Sequence, residues 1–154
     1  MQGRMKKYQI NQEEIEAVLQ EQKVGRLVTL NPNGFPYVTP VHFIYENGHI
    51  YIHGLLKGQK IDNIKQNPNV CFETEEMQGL ILDEKPCDVN TAYKSVIALG
   101  KARLVDGEKK VQALEGIVRK YVPHLSNIPF PENMLKATAV IEVEIIEITG
   151  KHYE

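Results

Sequence analysis

Ile15, Val18 and Leu19 fall at i, i+3 and i+4, the spacing of one helical face. Asn11 stands ahead of them with Glu14 three residues on, the pattern of a capping box, and Ile10 and Ile15 are placed for a hydrophobic staple. The pattern predicts a helix over 12–22, with Gly25 marking its stop. The periodicity then changes to β-rich runs over 24–30, 35–45 and 49–55. Asn31-Pro32-Asn33-Gly34 separates the first two and Glu46-Asn47-Gly48 the second two, both strong turn signals. Three antiparallel strands in a meander follow from this. Pro36 and Pro40 lie within the second strand. Proline cannot donate to a ladder, so this is either an edge strand or a strand with something else along one side.

A second helix is expected over 58–66, with Ile61 and Ile64 inward, Lys57, Lys60 and Lys65 outward, and Asn67-Pro68 as its end. A fourth strand covers 69–75, and 76–90 is less regular. A long strand covers 93–105, bent near Gly100. The helix over 108–121 carries Val111, Leu114, Ile117 and Val118 on one face. Residues 122–136 contain three prolines and read as a structured loop. In the last strand, 138–149, Ile141, Val143 and Ile145 share a face while Ile146 and Ile148 fall on the other, which calls for a bulge or a change of packing partner. Hairpin-linked strands argue against parallel βαβ units. The expected fold is mainly β with peripheral helices, a small barrel of six antiparallel strands. No repeat or linker divides residues 1–154, so a single domain is expected.

Composition narrows the class. A chain of 154 residues can bury about 70% of its unfolded surface without disulfides or a structural metal. With 42% hydrophobic and 25% charged residues it reads as globular rather than disordered or collagenous. No apolar run approaches the ~20 residues needed to span a bilayer. The N-terminal MQGRMKKYQINQEE is basic but has no apolar stretch behind it, so a cytoplasmic location is expected. Eighteen basic and twenty acidic residues give a net charge of −2, which implies no bulk attraction to nucleic acid or anionic membrane. Cys71 reads as a buried strand residue and Cys87 as a loop residue; with no CxxC, no disulfide is expected. The five histidines form no zinc pattern, and His49 and His53 lie in a strand rather than on a helix face.

The stretch from Tyr51 to Lys60 carries the chemistry. A strand ends near Gly54 and a helix begins near Gly58, and helix N-termini suit phosphate. Lys57 and Lys60 at that end oppose the helix dipole unless an anion compensates them. The plain alternative is two solvated lysines on a surface helix. GxGxxG, GxxxxGK[ST] and GxSxG are all lacking, which leaves a Rossmann site, a P-loop and serine hydrolysis unsupported.

Residues 34–43 (GFPYVTPVHF), Tyr51-Ile52-His53-Gly54 with Lys57-Gly58-Gln59-Lys60, and Asn67-Pro68-Asn69-Val70-Cys71-Phe72 together resemble the pyridoxamine-phosphate-oxidase-like flavin split barrels. Tyr93 to Ile97, Gly100-Lys101-Ala102 and the closing Ile148-Thr149-Gly150-Lys151 are similar to the nitroimidazole-resistance (Nim-type) branch. The resemblance implies a six-stranded split β-barrel of the FMN-binding type and a homodimer with FMN at its interface. It places the flavin ring beside Pro40, Val41 and His42 and the His53-Gly54 strand end. Lys60 would hold the phosphate, with Lys57, Gly58 and Gln59 around it. Tyr93, Ser95 and Val96 would close the pocket, from the same chain or its partner, and His53 would be the catalytic residue, as proton donor or orienting group. The chain ends in GKHYE, without the Arg- and His-bearing segment of true pyridoxamine-phosphate oxidases, so pyridoxine chemistry is not expected. The implied activity is an FMN-dependent oxidoreductase acting on a small-molecule electron acceptor, nitroaromatic or quinone-like. Haem- and deazaflavin-binding members leave a second reading: a non-enzymatic carrier, sensor or store, with His42, His53 and His124 as possible haem ligands.

Overall fold

The computed structural model describes residues 3–154. After a short helix α1 (Gly3–Lys7), helix α2 (Gln12–Glu21) begins with the expected capping box. The Glu14 amide donates to Asn11 Oδ1 at 2.9 Å, and the Asn11 amide donates to Glu14 Oε2 at 3.1 Å. Its buried stripe is Ile15, Val18 and Leu19. There follow β1 (Gly25–Leu30), β2 (Pro36–Val41), β3 (Phe43–Glu46), β4 (His49–Leu55), α3 (Gln59–Gln66), β5 (Asn69–Ile81), β6 (Asn90–Val105), α4 (Gly107–Tyr121), α5 (Glu132–Ala137) and β7 (Thr138–Tyr153).

All seven strands form one antiparallel sheet in the order β2-β1-β5-β6-β7-β4-β3. Its two edges are consecutive in the chain, separated only by His42. The second strand of the predicted meander is thus divided. Its first half pairs with β1, from Gly25↔Val41 to Leu30↔Pro36, and its second half with β4, from Phe43↔Ile52 to Glu46↔His49. This division gives seven strands where six were expected, and it is the split of the split barrel. The prolines mark an edge strand. The Asn31 amide donates to the Phe35 carbonyl, so the odd-numbered backbone groups of β2 face β1, and Pro36 and Pro40 direct their missing donors to the open side.

Strand pairing between β5 and β6 runs on to Ile81↔Asn90, past the predicted limit at 75, with a register shift between Met77 and Gly79. The bulge expected as one alternative in the last strand is present, opposite Gly100: Leu99 pairs with Glu147 and Gly100 with Ile145, which leaves Ile146 unpaired. One core, with Leu27, Phe43, Phe72, Ile52, Val96 and Val143, lies inside the curved sheet under α2 and α3. A second, with Ile44, Tyr51, Leu114, Ile117 and Val140, lies under α4. Strands β3, β4 and β7 are therefore covered on both sides, which explains their near-continuous apolar runs. Val111 and Val118, expected on the buried face of α4, lie at its flank, where they line a cavity with residues 126–130. Cys71 is half-buried rather than buried, Cys87 is exposed, and both are free. Among the described residues, no helix is long and apolar enough to cross a membrane.

Candidate functional site

Between the end of β4 and the start of α3 the chain makes a turn through Gly58, whose φ of 155° favours glycine. No side chain caps α3, so its first-turn amides remain available. A cavity of about 170 Å³ opens there, walled by Leu55, Lys57, Gly58, Gln59, Lys60 and Ile61 and, from β2, by Tyr37 and Thr39. Among the described residues neither lysine has an ion-pair partner. Lys57 is exposed, as a solvated surface lysine would be, but Lys60 is half-buried. The Lys60 side chain lies over Gly54, where a Cβ would come within 3.3 Å of Nζ. Thr39 Oγ1 is buried with no hydrogen-bond partner among the described residues. An orphan hydroxyl costs about 1–3 kcal/mol, and an anion in the cavity would relieve it. Two unpaired cations, free amides and an orphan donor fit a phosphate. Tyr37 and Thr39 were not singled out from the sequence, although alternation along β2 places both on the face opposite the prolines.

Helix α3 is pinned by Asn63, which is 0% exposed. Its Nδ2 donates to Thr29 Oγ1 at 3.0 Å and to Asn31 Oδ1 at 2.9 Å, and its Oδ1 accepts from Gln59 Nε2 at 2.7 Å. The amide therefore ties the helix carrying Lys60 to β1. In the sequence Asn63 is one polar residue among several, and only the fold shows it to be buried.

His42 occupies the gap between β2 and β3. Its ring stacks on Tyr121, with centroids 4.4 Å apart, and lies 6.2 Å from the His53 ring. The backbone at the gap is met by side chains of α4. The Phe43 amide donates to Tyr121 Oη at 2.9 Å, and Lys120 Nζ donates to the carbonyls of Phe43 and Leu19, each at 3.0 Å. Burial, and then neighbouring Lys23, pull the Lys120 ammonium down to about 8. His53 is lowered as well, by burial first and then by His42 and Lys60. A histidine lowered from 6.5 is mostly neutral at pH 7, so it is free to offer a hydrogen bond rather than a charge. A phosphate beside Lys60 would offset one of the three causes.

The other expected site residues are placed differently. Pro40 is exposed on the edge strand, but the Val41 and Val96 side chains belong to the inner core and line neither wall of the cavity. Tyr93 and Ser95 lie at the far end of β6. Val96 is opposite Gly150 on β7, whereas His53 is opposite Val140 on the same strand. On the other side of the sheet the row Pro40, Arg26, Glu73, Ile97 sets β6 three strand spacings from β2, about 14 Å. One chain brings together His42, His53, Gly54 and the segment from Lys57 to Lys60, while Tyr93, Ser95 and Val96 do not line the cradle. His124 is exposed on a short turn after α4.

The profile of pyridoxamine 5'-phosphate oxidase matches residues 11–152. The chain belongs to this family. No curated protein sequence matches it. Among solved structures of similar fold is a candidate 5-nitroimidazole antibiotic resistance protein from Bacteroides thetaiotaomicron VPI-5482. It is 27% identical, with a TM-score of 0.81 over 94% of this chain and 86% of that one. The flavocytochrome Anf3 from Azotobacter vinelandii is 26% identical, with a TM-score of 0.83 over 94% of this chain and 68% of that one. An FAD- and haem-binding protein from Mycobacterium smegmatis has a TM-score of 0.88 over 96% of this chain and 74% of that one. At 15% identity that last match carries the fold alone.

Proposed function

We propose that this member of the family binds FMN and acts as an oxidoreductase on small nitroaromatic or quinone-like acceptors, as a cytoplasmic homodimer. The observation that carries the reading is the cradle at the start of α3. Lys60 and the first-turn amides would hold the phosphate, Thr39 would donate its hydroxyl to it, and Gly58 leaves room for close approach. His42 and His53, one strand end away, would face the ring. Bound flavin would supply the two-electron carrier, which no side chain can. His53, held neutral, would orient an acceptor by a hydrogen bond, and the walls from α4 would limit water at that point. Tyr93 and Ser95, which do not line the cradle, would close the pocket over the flavin, from the partner subunit in a dimer.

FMN titration of flavin-free protein tests this. Lys60→Ala removes a charged hydrogen bond worth about 1.5–3 kcal/mol, a loss of roughly 10- to 150-fold in affinity. Lys57→Ala, at an exposed position, should lose less. Equal affinities for wild type and Lys60→Ala would remove the phosphate assignment, and a parallel FAD titration decides between the two flavins. The 26% identity to a flavocytochrome favours one second reading, a flavin- or haem-binding protein without turnover. The visible spectrum separates flavin from haem by the Soret band, and turnover of a nitroaromatic acceptor by the flavin-loaded protein separates an enzyme from a carrier.

A further inference from the structure

Over β2, β1 and β5 the outer face of the sheet carries no helix among the described residues. Val38 and Ile97 stand exposed on it, and three charged side chains lie in its middle. Arg26 of β1 is opposite Glu73 of β5, and Glu75 follows two residues on, on the same face. Both carboxylates accept from one nitrogen, Arg26 Nη1, Glu73 at 3.0 Å and Glu75 at 2.6 Å. One guanidinium thus serves two carboxylates, and the cluster keeps an excess of one negative charge. Among the described residues no second cation pairs with either of them. On this face β2 contributes Val38 and Pro40, and β6 contributes Ser95, Ile97 and Leu99, none of which titrates. Glu147 and Lys151 of β7 lie two strand spacings away, about 10 Å, with opposite charges. Cys71, two residues before Glu73, stays neutral near pH 7, since burial and then Glu73 push its thiol up.

Two carboxylates that share one cation compete for it, and such a pair readily holds a proton between them. Burial and then Glu75 push the Glu73 carboxyl up, to about 7, against the pull of Arg26. The pair therefore titrates as a unit in the neutral range. The face runs out to β2, the strand that walls the phosphate cradle, so it is where a homodimer sharing the flavin would meet. A second copy laid on it would exclude water from both carboxylates, which disfavours their charged form further. It would also bring the excess charge of each copy into one interface. The apolar rows draw two copies together, and an unneutralised carboxylate on each holds them apart. We propose that the Glu73–Glu75 pair makes dimerisation through this face proton-linked, each subunit taking up one proton as the face is covered. The inference rests on the homodimer reading and adds what controls it. The covered state binds more protons than the free chain, so the dimer tightens as pH falls. Two protons per dimer allow up to about a hundredfold per pH unit within the titration range.

Sedimentation velocity of the full chain over a concentration series gives the dimer dissociation constant at pH 6, 7 and 8, at constant ionic strength and with and without added FMN. The wild type should dimerise at least tenfold more tightly at pH 6 than at pH 8. Glu73→Gln removes the charge while keeping the side chain's size and every histidine. It should dimerise at pH 8 as tightly as the wild type does at pH 6, within about threefold, and change little across the series. Glu75→Gln leaves a single carboxylate on Arg26 and should do the same, and a melting curve beside each variant checks its fold. A wild-type dimer constant unchanged from pH 6 to pH 8, or a pH dependence that survives in both folded variants, would overturn the proposal and leave the dimer standing. Wild type and both variants monomeric at every pH and concentration would remove the dimer reading, and this inference with it.

Discussion

Thr39 and Asn63 are both polar and lie within a few residues of the same cradle, but their states are opposite. Every polar atom of the Asn63 side chain is paired, whereas Thr39 Oγ1 is buried and paired with nothing among the described residues. An anion in the cradle would give that hydroxyl an acceptor. Thr39→Val keeps the shape and removes the orphan hydroxyl. The melting temperature of the flavin-free variant should therefore hold or rise, while FMN affinity falls. A fall in both would show that the hydroxyl serves the fold. His53 gives a pH signature. Its folded pKa lies below the unfolded value near 6.5, so the unfolded chain binds more protons in the window just beneath 6.5. Stability should decline as pH falls through that window, and His53→Gln should flatten the decline. If His53 acts in turnover, His53→Ala should slow turnover per bound FMN, by around 10²–10⁴-fold where it transfers a proton. A smaller loss fits an orienting hydrogen bond, and none reduces it to packing. Lys57 and Lys60 stood out in the sequence because two lysines at a helix start conflict with the dipole, and Gly58 because it lets the backbone approach an anion. The state of Thr39 was not, because it depends on β2, β4 and α3 meeting.

Local pattern foretold the elements best where neighbours in sequence set the structure. The capping box of α2, the Asn47-Gly48 turn with both residues at positive φ, and the bulge at Ile146 all follow from a few adjacent residues. The division at His42 and the extension of β5 to Ile81 were not legible, since both depend on partners far along the chain. At the division, Lys120 and Tyr121 take the place of a strand partner, and nothing in their own segment signals it. Asn63 does comparable work for α3. Asn63→Ala leaves Thr29 Oγ1 buried without its donor and should cost about 1–3 kcal/mol in a urea melt. It should also weaken FMN, although Asn63 does not line the cavity, because the helix bearing Lys60 loses its tie to β1. Loss of stability with unchanged FMN affinity would mean that the cradle is held by other contacts. A third polar tie joins α4 to the sheet. Glu142 is 2% exposed and takes bonds from Tyr51 Oη at 2.9 Å, Arg103 Nε at 2.9 Å and Lys109 Nζ at 2.7 Å. Burial opposes its ionisation, but the bonds from Lys109, Arg103 and Tyr51 prevail and hold it at about 2. Its folded value lies below the unfolded one, so its stabilisation is full above about 4.5 and is lost as pH falls toward 2. Glu142→Gln should weaken the protein at pH 7 and make the difference from wild type shrink in that acid range.

At the scale of the whole molecule, the outer face of the sheet carries α4 over β3, β4 and β7 but, among the described residues, no helix over β2, β1 and β5. Two rows cross it from β2 to β7. One runs Val38, Val28, Cys71, Leu99, Glu147 and the other Pro40, Arg26, Glu73, Ile97, Thr149. Val38, Leu99 and Ile97 are exposed at 58%, 46% and 40%. Their opposite-face neighbours on β6, Val96 and Ala98, are fully buried. Arg26 binds Glu73 and Glu75 in the middle of this face, at 3.0 and 2.6 Å. An apolar row flanked by charged and polar residues is the composition of an interface, and Pro40 joins it to the strand that walls the phosphate cradle. We therefore expect a homodimer through this face, with the flavin at its edge. Ile97→Glu sets a carboxylate directly opposite Glu73 without touching the core or the cradle. Light scattering should show a dimer for the wild type at micromolar concentration and a monomer for the variant, with FMN affinity falling alongside. A wild-type monomer would end the dimer assignment. A monomeric variant that keeps full FMN affinity would show that one chain builds the whole flavin site, and Tyr93 and Ser95 would then have no part in it.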